Sequence, residues 1–368
     1  MPISAVDAIT PAFEHAKHQL FRPFRFGQWA RLALVGILAG ELGSAGGCNF
    51  NFNWPETHHE HGSKHFLGAS WPPELTHHLA IFAGVFAFGA VIGFGLLLVF
   101  MYISSRMRFV LFDSVTAKEC HIRQGWARRR SPGFRLFVWK IWLMLASFAG
   151  LLVLVGIPLA TVWGFGWFAH PKEHLVRLIL VGVLDFLLLF VFMMGMALAQ
   201  VMTKDFVVPQ MAFEDISAVE GWRRLWPALK AETGGYAGYI GMKIVLGIGA
   251  GIAFGILTFI MLFLLLIPIG GLGVAAVLAG KAAGWTWNFH TIALAVFAGC
   301  IALAVLVFVA SLVSVPTVVF FPAYSIYFFA GRYPPLAAAL WPQATPPFAP
   351  ASPGPESPPF PPSPSPAS

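Results

Sequence analysis

An all-α membrane protein with six crossings is the fold class this sequence predicts, and three observations predict it. The 368 residues are 58% hydrophobic and only 11% charged, with a mean hydropathy of +0.75, whereas a soluble domain is nearer a quarter charged. Apolar runs longer than about 18 residues recur along the chain. They are too long for barrel strands, and a backbone in hydrocarbon must pair its own polar groups, so the runs are read as helices. Basic residues, finally, gather between alternate runs. Nineteen of the Lys and Arg fall on one side of the predicted membrane and four on the other.

The chain opens on an amphipathic segment. Val6, Ile9, Phe13, Ala16, Leu20 and Phe24 recur at three- and four-residue steps, with Glu14, Lys17, His18 and Arg22 between them. Pro11 and Pro23 should bend or interrupt it. The first predicted span, Trp29–Ala45, is the weakest. Its apolar core is short, Arg31 must snorkel, and Glu41 sits near its far end. A tilted or re-entrant half-span is the alternative. Gly43–His78 is polar and reads as a far-side loop. Leu79–Ile103 is a clear span, with Gly89 and Gly93 at small-xxx-small spacing. Ile141–Phe168 is the third span, interrupted by Pro158 and anchored by Trp163 and Trp167. Leu178–Val201 is the fourth and contains Asp185. Ile244–Ile267 is the fifth, with Gly247, Gly251 and Gly255 four apart and a stop or kink at Pro268. Ile292 to about Phe321 is the sixth, kinked or ended near Pro316 and Pro322. Residues 332–368 are rich in Pro, Ala and Ser, cannot bury a core, and are expected to form a disordered tail.

Two basic, Trp-bearing segments separate the later spans. Ser105–Trp142 carries Phe109-Val110, then Gly125-Trp126 with Arg128, Arg129 and Arg130. Lys204–Thr233 carries Phe206-Val207-Val208-Pro209, then Gly221-Trp222-Arg223-Arg224. Ile3-Ser4-Ala5-Val6-Asp7 echoes Ile216-Ser217-Ala218-Val219-Glu220. The shared order predicts one membrane domain over 1–331 made of three units, about 1–104, 105–203 and 204–331. Each unit would be an amphipathic helix followed by two spans. In the second segment, Ile216, Val219, Trp222, Trp226 and Leu229 can share one helical face, which reads as a helix lying in the headgroup plane. The charge split places both termini and both basic segments in the cytoplasm, for a multi-pass protein of the inner (plasma) membrane.

With its Phe-Val-x-Pro and Gly-Trp-Arg-Arg arrangement and mid-span prolines, the chain resembles the uncharacterised six-span bacterial integral membrane proteins. It is similar also to the membrane domain fused to some glycerophosphodiester phosphodiesterases. The resemblance implies an integral membrane protein of unknown role. The phosphodiesterase activity does not carry over, because no soluble catalytic domain is present.

Candidate chemistry is sparse. His58, His59, His61 and His65 form a dense far-side cluster that could hold Zn²⁺, Cu²⁺ or Ni²⁺, or simply be a solvated loop. The order His-His-Glu-His is not a metalloprotease helix. Asp185 is an intramembrane carboxylate, a functional position by default unless locally solvated. Trp126, Arg128, Arg129, Arg130, Trp222, Arg223 and Arg224 are read as lipid-interface residues meeting anionic headgroups. No aromatic-interleaved motif accompanies the arginines, so nucleic acid is not an expected partner. No phosphate loop, dinucleotide fingerprint or nucleophile elbow occurs, so no cofactor is expected. Cys48, Cys120 and Cys300 lie too far apart for a disulfide framework, and no cleavable signal peptide is visible. The expected function is a non-enzymatic scaffold or a lipid- or small-solute-handling module. A transporter with its site between the hairpins is the alternative, and a membrane enzyme the least supported. Polar side chains from several spans meeting at one level would separate the last two from an inert scaffold.

Overall fold

The computed structural model describes residues 3–41, 73–167, 172–284 and 288–341. The histidine cluster His58, His59, His61 and His65 and most of the Pro-rich tail lie outside them. The described residues form helices α1 (Ile9–Phe21), α2 (Phe26–Ala39), α3 (Pro73–Ala117), α4 (Ile122–Arg128), α5 (Arg130–Gly164) and α6 (Leu175–Met202). A π-helical turn (Thr203–Val207) leads on to α7 (Val208–Glu214), α8 (Ala218–Ala231), α9 (Thr233–Ala282), α10 (Phe289–Ala330) and α11 (Pro334–Leu340).

Among the described residues five helices are long and apolar enough to cross a membrane: α3 from Phe86, α5, α6 continued through α7, α9 and α10. Their most apolar windows bury nothing against protein. Phe94, Leu187, Ile256 and Leu303 are each more than half exposed. In water such surfaces would be costly, but against acyl chains they are at their natural boundary.

The expected first span, Trp29–Ala45, takes a different form. Its helical part, α2, has 14 residues and reaches about 21 Å at 1.5 Å per residue, short of the ~30 Å hydrocarbon layer. It runs antiparallel beside the last turns of α3. At its start the Gln28 side chain donates to the Lys118 carbonyl (2.9 Å), and at its end Ser104 Oγ donates to the Ala39 carbonyl (3.3 Å). It thus flanks the basic stretch that follows Leu79–Ile103 rather than that span. Left-handed Gly40 (φ 76°) ends it.

The protein core lies where the span ends converge. Phe109 and Val110 of α3, Phe206 and Val207 of the π-turn, Tyr236 and Tyr239 of α9, and Tyr324 and Phe328 of α10 are each 1% exposed or less. Phe206 sits among rings, with centroids 5.1 Å from Tyr239, 5.3 Å from Tyr236 and 5.2 Å from Phe329. The paired Phe-Val and Gly-Trp motifs have a packing reason. A Cβ on Gly125 would stand 3.1 Å from Val110, and one on Gly221 only 2.7 Å from Val207. Each glycine lets a short helix settle on the valine of a preceding element. The segment before α1 meets the end of α10 in this core as well. Tyr324 Oη donates to the Ala5 carbonyl (3.0 Å) and Arg332 to that of Ile3 (3.0 Å).

The proline-bearing helices continue past their prolines and do not end there. α5 runs through Pro158, α9 through Pro268 to Ala282, and α10 through Pro316 and Pro322. The carbonyl that Pro316 leaves without its helical donor, Leu312 O, accepts from Trp29 Nε1 at 2.9 Å.

Candidate functional site

A layer of charged side chains closes the core where the apolar spans stop. Glu41, one residue past Gly40, is 2% exposed. Its carboxylate meets Arg108 of α3 at 2.5 Å and also pairs with Lys204 of the π-turn. Arg108 donates to the Ala39 carbonyl as well (3.0 Å), placing a cation on the negative end of α2. Lys140 of α5 donates to Ser104 Oγ (3.3 Å), whose oxygen already joins α3 to α2. Next along the π-turn, Asp205 is 3% exposed, pairs with Lys243 of α9, and accepts from Tyr239 Oη at 3.0 Å.

The π-turn makes this arrangement possible. A π-turn inserts an extra residue into the helical repeat and often marks a functional position. Here Lys204 faces Glu41 while Asp205 faces Lys243. Thr203 beside them accepts from two indoles, Trp222 (3.0 Å) and Trp139 (3.3 Å). Four basic side chains, Arg108, Lys140, Lys204 and Lys243, thus gather around two carboxylates, Glu41 and Asp205. A void of about 20 Å³ lined by Arg108, Lys204, Asp205 and Ser325 has room for roughly one water.

The residues picked out from the sequence fall into two groups. Arg129 is committed to protein, with bonds of 2.8 and 2.7 Å to the Asp113 carboxylate and 2.6 Å to the Ala212 carbonyl. Arg223 and Arg224 pair with Glu220, and Arg224 also with Glu214. Trp126 and Trp222 are half-buried, the first under the Arg106 guanidinium at 4.0 Å. Arg128 and Arg130 remain exposed. The expected apolar stripe of α8 divides: Ile216, Trp222 and Leu229 pack on the core, while Val219 and Trp226 are 63% and 51% exposed. Asp185 stays apart from the charged layer, and its Oδ1 is buried without a hydrogen-bond partner among the described residues.

Sequence reading passed over the residues that converge. In the sequence Glu41 stands near the far end of the first predicted span, on the side opposite the basic segments that hold Lys140 and Lys204, yet it pairs with Lys204. Their shared signal was position, each within a few residues of a span end. Outside the spans, burial pushes the His15 imidazole below its ordinary 6.5. Its Nε2 lies 2.8 Å from the Val115 carbonyl and so carries the proton, leaving Nδ1 to accept from Tyr327 Oη at 3.1 Å. Glu232 is held below the usual carboxylate range by its hydrogen bonds from Arg332. Among the described residues no three His, Cys, Asp or Glu side chains group as metal ligands.

The sequence matches the family described as a family of unknown function (DUF7544) across residues 3–339. The chain belongs to that family. The match takes in the eleven helices of the described residues except the last residue of α11, so the charged layer lies wholly within the family region. It adds no link to the phosphodiesterase membrane domains. No curated protein and no solved structure matches the chain.

Proposed function

We propose that the protein is a non-enzymatic membrane module that handles an anionic lipid, or a small anionic solute, at the level where its spans end. The observation that carries this reading is the surplus of basic side chains over carboxylates in the buried layer. Four basic side chains, Arg108, Lys140, Lys204 and Lys243, outnumber the carboxylates of Glu41 and Asp205 there. Cations taken out of water need a counter-charge, and an anionic headgroup is the one a membrane supplies. The layer brings polar groups from several helices to one level, which speaks against an inert scaffold and for a module that binds something there.

In this reading the layer faces the cytoplasm, with both termini on that side. The chain is three units, supported by matched local hydrogen bonds at Ser4, in the turn before α1, and Ser217, the N-cap of α8, which accept from Asp7 N at 3.1 Å and Glu220 N at 3.2 Å. The matched Val110–Gly125 and Val207–Gly221 seats support it too. The exposed Val219 and Trp226 of α8 would enter the headgroup layer. A transporter reading draws less support, since α5 and α9 pass through Pro158 and Pro268 without the break that carrier sites use.

Native mass spectrometry of the full chain released from mixed phosphatidylglycerol–phosphatidylcholine nanodiscs tests the reading. Retention of phosphatidylglycerol over phosphatidylcholine is expected, with that preference reduced by Lys140→Gln. Equal retention of both lipids by the wild type would overturn it.

A further inference from the structure

We infer that an open groove between the end of the α3 span and the first turn of α5 holds the phosphodiester of an anionic phospholipid. This rests on the lipid-handling reading and gives it a site distinct from the charged layer. The groove is lined by Tyr102 of α3 and by Arg130, Ser131 and Phe134 of α5, and encloses about 610 Å³. Tyr102 is the next-to-last residue of the predicted span Leu79–Ile103, so the groove opens at headgroup depth.

Its chemistry fits a phosphate joined to a glycerol backbone. Arg130 is exposed, lines the groove, and has no ion-pair partner among the described residues. Ser131 offers a hydroxyl beside it. Tyr102 and Phe134 supply apolar walls for the upper acyl carbons, with Phe137 against both rings at centroid distances of 5.6 and 6.2 Å.

Arg106 is the second, independent pointer to an anion. Its side chain stands directly behind the groove wall and donates to Tyr102 Oη at 3.2 Å. It is 6% exposed, yet no carboxylate meets it among the described residues, and its Nε is buried without a partner. Its other contacts are the Trp126 carbonyl and the Trp126 ring. Gly133 keeps this path open, because a Cβ there would stand 2.6 Å from Arg106 Cγ. A buried guanidinium supported only by rings and neutral oxygens is stabilised by an anion close by. With Tyr102 polarised by Arg106, its hydroxyl becomes a better donor toward a phosphate in the groove.

The test uses the full chain in nanodiscs, with phosphatidylglycerol titrated against phosphatidylcholine and bound lipid read by native mass spectrometry. Arg130→Gln should weaken phosphatidylglycerol retention about fivefold, the equivalent of about 1 kcal/mol for one interfacial arginine. Arg128→Gln, an exposed arginine that does not line the groove, should leave retention unchanged. Both positions are exposed, so both variants should fold, and matching melting curves check this. Equal losses from the two variants would mean general surface charge and overturn the site. Full retention by Arg130→Gln, with wild-type preference intact, would overturn the groove alone and leave the broader reading standing. Lipid release by a few millimolar inorganic phosphate would make free phosphate the occupant and overturn the lipid assignment. No anionic preference in the wild type would remove both proposals together.

Discussion

Glu41→Gln is the sharpest probe of the charged layer. The substitution keeps shape and removes one charge. It leaves Arg108 and Lys204, whose side chains are 12% and 19% exposed, without the carboxylate that both contact. Breaking a buried ion pair from one side costs about 3–5 kcal/mol. The two cations retain some water, which places the expected loss near the lower end, at about 3 kcal/mol. For a chain of this size, with about 2.1 cal/mol/K of unfolding entropy per residue, that is a fall of roughly 4 °C in apparent Tm. The measurement is a tryptophan-fluorescence melt in detergent at a fixed scan rate. Adding Lys204→Met should restore part of the loss, because it removes one orphaned cation while keeping the methylene stem. A Glu41→Gln shift under about 1 °C, or a double variant no better than additive, would refute the view that Glu41 ties α2 to α3 and the π-turn.

Three further outcomes are expected. Gly221→Ala should destabilise by about 1–3 kcal/mol, because its Cβ would lie 2.7 Å from Val207, which is 0% exposed. Gly238→Ala, with nothing within 4 Å, should be neutral or stabilising, and equal melts for the two variants would remove the packing explanation. Stability should be full above pH 6.5 and decline as pH falls through the lowered His15 value, since the unfolded chain binds the proton first in that window. Melts between pH 7.5 and 5 should show the decline, and His15→Gln should flatten it. Arg129→Lys should cost about 1–3 kcal/mol, because lysine cannot span both Asp113 oxygens and the Ala212 carbonyl together. A melt unchanged by that substitution would mean that Arg129 is free for lipid.

The sequence by itself determined that the chain is helical and membrane-bound. Apolar length does this locally, because a run such as that of α9 or α10 cannot be soluble whatever surrounds it. The motif positions were legible too, since Gly125-Trp126 and Gly221-Trp222 stand out in one dimension. Their reason was not, because it depends on where Val110 and Val207 come to rest. The length of α2 and its place beside α3 were decided in three dimensions. Trp29–Ala45 reads as apolar whether it faces lipid or the flank of another helix, and hydropathy cannot distinguish the two. Glu41, Lys140, Lys204, Asp205 and Lys243 lie as much as about two hundred residues apart. Charge at a span end looks the same in sequence whether it orients the chain in the membrane or pairs in a buried layer. Only folding the span ends together makes Glu41 the partner of Arg108 and Lys204, because ion pairing falls off over a few ångströms and has no memory of chain order.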